Sequence, residues 1–111
     1  MSKRDVVAGV LLVNAIPHAV IGLAGHRCLT PLGGEDSGPG LNLLWAAMNV
    51  AGGAALLASA PWARLTQADA DRRRRSVQVG VAAMAAFGQV YELVRSRREG
   101  AREQVRAPGR R

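Results

Sequence analysis

Residues 6–25 read VVAGVLLVNAIPHAVIGLAG, twenty positions without a charge. About 20 mostly apolar helical residues cross a hydrocarbon core. A soluble helix of that length would carry charge on one face every turn or two. The run therefore points to lipid as the surrounding solvent. Two further runs, Leu41–Ala60 and Val77–Val94, have the same character. Of the 15 basic and 8 acidic residues in the chain, only Glu92 falls inside any of the three. The expected fold is an all-α membrane protein with three transmembrane helices in a small bundle. The third helix is extended by a basic cytoplasmic or interfacial helix. On this reading residues 1–94 form the membrane domain, and 95–111 form an arginine-rich tail, helical and then disordered.

Whole-chain averages conceal this pattern. The hydrophobic content of 49% is ordinary for a soluble domain, because arginine-rich ends offset the apolar interior. The single cysteine, Cys28, excludes an internal disulfide framework and a multi-cysteine metal site. A net charge of +7 invites a nucleic-acid reading. Arginines flanking apolar spans mark topology and anionic headgroups instead, and one Phe, one Tyr and two Trp are too few for base stacking. No nucleic acid is expected as a partner. Basic residues are 14 Arg against one Lys, which suggests a high-GC genome.

The flanks punctuate the runs. Lys3 and Arg4 precede the first. With Gly22-Leu23-Ala24 they also outline a signal peptide, but the apolar run exceeds the usual core of about 7–15 residues. His26–Gly40 contains Pro31, Gly33, Gly34, Gly38 and Pro39 and reads as a loop. Pro61-Trp62 closes the second run, with Trp62 placed as an interfacial aromatic and Arg64 beyond it. Thr66 and Asp69 have capping-box spacing and open the third helix. Pro108-Gly109 ends the tail.

Each run carries a polar or small-residue stripe. Asn14 and His18 are four apart, with Gly22 and Gly25 extending their face. Asn42 and Asn49 are seven apart, with Gly52 and Gly53 alongside. Gln78, Ala85, Gln89, Glu92 and Ser96 share a face of the third helix. Polar side chains in a bilayer turn toward neighbouring helices, where each interhelical hydrogen bond contributes about 0.6–2 kcal/mol. These stripes are expected to line the bundle interior as a polar core or an ion or proton path: Asn14, His18, Asn42, Asn49, Gln78, Gln89 and Glu92. The glycines are expected at helix contacts. Glu92 has two readings. It either pairs with His18 and handles a proton, or it reaches headgroups and Arg95. Pro17 removes a backbone donor, so it is read as a kink, with Asn14 or His18 satisfying the freed backbone.

Three spans place the chain start and residues 61–76 on one side, and the His26–Gly40 loop and tail on the other. Basic residues then number 7 and 8, respectively, so the positive-inside rule shows no preference. Either Val77–Val94 lies in the interface, or the first run is re-entrant at Pro17, or the chain inserts in both orientations and pairs antiparallel. Arg72, Arg73, Arg74, Arg75, Arg95, Arg97, Arg98 and Arg102 are read as contacts to anionic lipid or an acidic partner.

The pattern Asn14-x-x-Pro17-His18-x-x-x-Gly22, Thr30-Pro31, Asn42-x-x-Trp45-x-x-x-Asn49-x-x-x-Gly53 resembles a group of small bacterial integral membrane proteins. The resemblance covers about the first half of the chain. It implies a multi-pass inner-membrane protein and carries no activity. His26 with Cys28 makes too few ligands for a metal, no partner histidine marks a haem, and no phosphate-binding, dinucleotide or hydrolase motif is present. No cofactor is expected. The chain is expected to act without catalysis, as a helix-packing accessory subunit or homo-oligomer. The alternative is a small oligomeric transporter or proton-linked channel.

Overall fold

The computed structural model describes residues 1–60 and 64–107. Among these are three helices and no strand: α1 (Lys3–Leu23), α2 (Pro39–Ala58) and α3 (Gln67–Arg106). All three are long and apolar enough to cross a membrane. Pro61-Trp62 and Pro108-Gly109 lie outside the described residues.

Local chemistry sets the ends. α1 starts before the apolar run because the Ser2 hydroxyl accepts from the Asp5 backbone N–H at 3.4 Å, as an N-cap does. It stops at Leu23, where the Gly25 N–H reaches the Gly22 carbonyl and the His26 N–H reaches that of Ile21. Gly25 takes φ +75°, a left-handed conformation that glycine adopts without steric cost. Nothing lies within 4 Å of where its β-carbon would be. Gly25 therefore ends the helix and does not pack it, unlike the sequence expectation. Pro39 opens α2 at a position where its missing N–H costs nothing. The Thr66 hydroxyl caps α3 by accepting from the Asp69 N–H at 3.1 Å. The 40 residues of α3 span about 60 Å at 1.5 Å per residue, close to the longest extent of the molecule, 68 Å.

Pro17 lies inside an α1 that stays helical on both sides of it. Neither Asn14 nor His18 turns back to the backbone near it; both bond across to α2. The expected local repair at Pro17 is replaced by interhelical bonding.

α1 is the central helix, packed against both others. Its contact with α2 is antiparallel: Ala8 and Leu12 meet Gly53, Asn14 meets Asn49, His18 meets Asn42, and Gly22 meets Leu43 and Pro39. A β-carbon at Gly22 would lie 2.6 Å from Leu43 Cγ, and one at Gly53 2.7 Å from Leu12 Cγ. Gly52 is looser, with Leu11 Cδ1 at 3.3 Å. The contact with α3 is parallel and closer. A β-carbon on Gly80 would collide with the Val6 carbonyl, and one on Gly9 with the Val77 carbonyl. Backbone meets backbone there, as small residues in membrane helices permit.

Gly80→Val should lower the free energy of unfolding in mixed micelles by about 2–3 kcal/mol, since neither backbone can give way without separating the helices. Gly88, whose β-carbon would meet nothing within 4 Å, is the control. Gly88→Ala should leave stability unchanged or raise it by up to about 1 kcal/mol through helix propensity.

Candidate functional site

The polar groups of the interior form three rungs along α1. The first joins all three helices. Asp5, 1% exposed, and Arg73, 6% exposed, face each other. Arg73 Nε donates to Asp5 Oδ2 at 2.9 Å and Nη2 to Asp5 Oδ1 at 2.8 Å, a two-pronged pair. Nη2 also donates to the Leu57 carbonyl at 3.1 Å, reaching α2. Asp5 sits one residue before the apolar run. Beside this pair the Ser2 N–H donates to Ser76 Oγ at 3.0 Å, and Ser76 Oγ donates to the Arg72 carbonyl at 2.9 Å.

By sequence alone Arg73 belongs with the lipid-facing arginines. The structure corrects this: it is buried and tied to α1. The four consecutive arginines hide a helical phase in which Arg73, Ser76 and Gly80 share the face against α1. That phase, with Asp5 as the last charge before the first span, is the signal that sequence reasoning missed. Arg72 and Arg74 pair along the α3 surface with Asp69 at 3.0 Å and Asp71 at 3.2 Å, and Arg75 is exposed.

The second rung is Asn14 Nδ2 donating to Asn49 Oδ1 at 3.3 Å, while Asn49 Nδ2 donates to the Trp45 carbonyl at 2.8 Å. The third is denser. Asn42, fully buried, donates through Nδ2 to the carbonyls of Ser37 at 2.9 Å, Gly38 at 3.0 Å and Cys28 at 3.3 Å. Carbonyls only accept, so the amide orientation is fixed and Oδ1 faces His18. His18 Nδ1 lies 2.8 Å from that oxygen and must therefore carry the proton it shares. Asn42 thereby fastens the His26–Gly40 loop to the helices.

That loop is ordered by its own polar groups. Thr30 and Gly34 exchange two backbone hydrogen bonds at 3.1 and 3.0 Å, and the Cys28 N–H donates to the Ser37 carbonyl at 3.1 Å. Thr30 Oγ1 lies 2.8 Å from Ser37 Oγ, which donates to the Gly34 carbonyl. Glycine and proline mark the turn, but the Thr30–Ser37–Asn42 chain of bonds has no periodic signature in the sequence.

α3 contributes nothing to the upper rungs. Gln78, Gln89 and Glu92, expected inside with Asn14, His18, Asn42 and Asn49, are exposed. The Glu92 side chain is 62% exposed and lies 3.8 Å from Arg95. The structure does not bring His18 and Glu92 together. At 100° per residue, Gln78, Ala82, Ala85, Gln89 and Glu92 fall on the side of α3 opposite Arg73, Ser76 and Gly80. The periodicity was sound, but it named a face and not the neighbour of that face. Past the apolar run, Arg95 also bonds Glu99 at 3.0 Å, while Arg97, Arg98 and Arg102 are exposed. No group of three or more His, Cys, Asp or Glu side chains converges on a metal position among the described residues.

Comparison with known protein families, curated proteins and solved structures returns no match.

Asn42→Ala removes the acceptor of His18 and the donor to three loop carbonyls. It should reduce unfolding free energy by about 2–3 kcal/mol and expose the Cys28 thiol to faster alkylation. Gln89→Leu should change monomer stability by less than about 0.5 kcal/mol.

Proposed function

We propose that this chain is an integral membrane protein of a bacterial plasma membrane, acting without catalysis as a helix-packing subunit, either in a homo-oligomer or in a larger membrane complex. Its three helices cross the bilayer as a small bundle around α1. The observation that supports this reading is the stripe Gln78–Ala82–Ala85–Gln89 on the outward side of α3. Two amides on a lipid-facing helix are costly to leave unsatisfied, since the hydrocarbon region offers no hydrogen-bond partners. Small residues between them permit close approach of another helix, whose polar groups would complete the amides. The basic residues beyond the span add attraction to anionic headgroups of about 1 kcal/mol each near the surface.

The closed interior argues against a proton-conducting alternative. Asn14, Asn49, Asn42 and His18 are bonded to one another and to backbone carbonyls, and the one carboxylate of the α3 run, Glu92, is exposed beside Arg95.

Native mass spectrometry of the purified protein in a membrane mimic tests the proposal. The expected result is a multiple of 11.7 kDa or a defined complex with another membrane chain, shifted toward free monomer by Gln78→Leu with Gln89→Leu. Free monomer at every concentration, or proton flux in liposomes that disappears with His18→Ala, would overturn it.

A further inference from the structure

The inward side of α3 is filled by α1 around Gly80 but not further along. Phe87, on that same side, is 61% exposed. From Phe87 onward this face borders a groove of about 540 Å³ whose other wall is the ordered loop, at Leu29, Glu35 and Asp36. The α3 wall changes character along its length. Phe87, Val90, Tyr91 and Val94 are apolar or aromatic, and Arg95, Arg98 and Arg102 follow on the same side. Phe87 to Val94 covers about 10 Å, as does Arg95 to Arg102. An apolar stretch grading into a charged one along a membrane helix is the profile of a phospholipid, with acyl chain below and headgroup above.

The two charged walls have opposite signs. Arg95 is occupied by Glu99 at 3.0 Å and approached by Glu92 at 3.8 Å. Arg98 and Arg102 have no ion-pair partner among the described residues, and neither does Glu35 across the groove. Asp36 has only a long contact to Arg27, 3.9 Å. An anionic headgroup would satisfy the arginines and be repelled by the carboxylates. A headgroup carrying both a phosphate and a primary ammonium matches both walls. Guanidinium groups suit phosphate oxygens, and an ammonium with three N–H donors suits carboxylates. A quaternary ammonium has no donor to offer them.

We infer that the groove between residues 29–36 and the inner face of α3 binds an ethanolamine phospholipid, with Arg98 and Arg102 on the phosphate, Glu35 and Asp36 on the ammonium, and Phe87, Val90 and Val94 against an acyl chain. This rests on the membrane-embedded reading above and assigns that surface one lipid class where charge count alone suggests any anionic lipid. Asn42 holds the acidic wall in place through the carbonyls of Cys28, Ser37 and Gly38.

The test is native mass spectrometry of the full chain in detergent. Synthetic phosphatidylethanolamine, phosphatidylcholine and phosphatidylglycerol with identical chains are added separately. Ethanolamine lipid should be retained about fivefold more than either other lipid, the discrimination of a partly exposed ion pair. Glu35→Gln with Asp36→Asn should bring ethanolamine retention down to the choline level without reducing glycerol-lipid retention. Arg98→Gln with Arg102→Gln should reduce retention of all three. Circular dichroism verifies that the variants stay helical. Preferential retention of phosphatidylglycerol, equal retention of all three, or an ethanolamine preference untouched by the acidic-wall variant would overturn the assignment. Alkaline extraction from membranes and the oligomer mass are read in parallel, so failure of the groove is distinguishable from failure of membrane embedding or of assembly.

Discussion

A carboxylate and a guanidinium taken out of water at the start of α1 and in the second turn of α3 constrain everything else. Desolvating both charges is costly, and the mutual attraction repays it only when geometry is good and remaining donors find acceptors. Asp5 and Arg73 share two parallel hydrogen bonds, and Arg73 makes a third to the Leu57 carbonyl. The pair and the glycine contacts beside it together fix the register of α1 and α3. Ser2 then reaches Ser76, and the next turn brings Val6 and Gly9 against Gly80 and Val77, where only hydrogen fits at Cα. Shifting α3 by one residue would bring Arg72 or Arg74 to the carboxylate, but it would also put a valine in place of Gly80 against the Val6 carbonyl.

The rest of the interior follows from α1 lying between its two neighbours. One side of α1 meets α3 mostly through backbone and glycine; another meets α2 through asparagine and histidine. The polar rungs are directional where apolar packing in lipid is not, because lipid chains compete equally well for apolar contact. Asn42 extends this specificity beyond the helices by drawing three loop carbonyls onto one amide. That gives the loop a fixed position over the gap beside Phe87, and hence gives the groove two walls. The face of α3 turned away from α1 keeps two unburied amides, the feature from which association with another helix is inferred.

The three helices were legible because a charge-free run of twenty residues leaves few alternatives. The α1 and α2 stripes were legible as pairs because Asn14 with His18, and Asn42 with Asn49, repeat at helical spacing and face each other. Three things were not. Arg73 was masked by identical neighbours, so composition suggested a solvated cluster where geometry holds one buried member. The α3 stripe was correctly phased, but periodicity does not say whether a polar face meets its own chain or another. Gly25 looked like the continuation of a packing face because it lies three residues after Gly22; its left-handed φ, which only the helix end requires, made it a terminator.

The seating of α3 on α1 depends most on the Asp5–Arg73 pair, and a double-mutant cycle in mixed micelles tests this directly. Asp5→Asn and Arg73→Met should each reduce the free energy of unfolding by about 3 kcal/mol, since each leaves a buried partner uncompensated. The double variant should lose no more than either single one, giving a coupling of about 3 kcal/mol. Additive losses, or single variants within about 0.5 kcal/mol of the parent, would show that the pair does not hold α3 against α1.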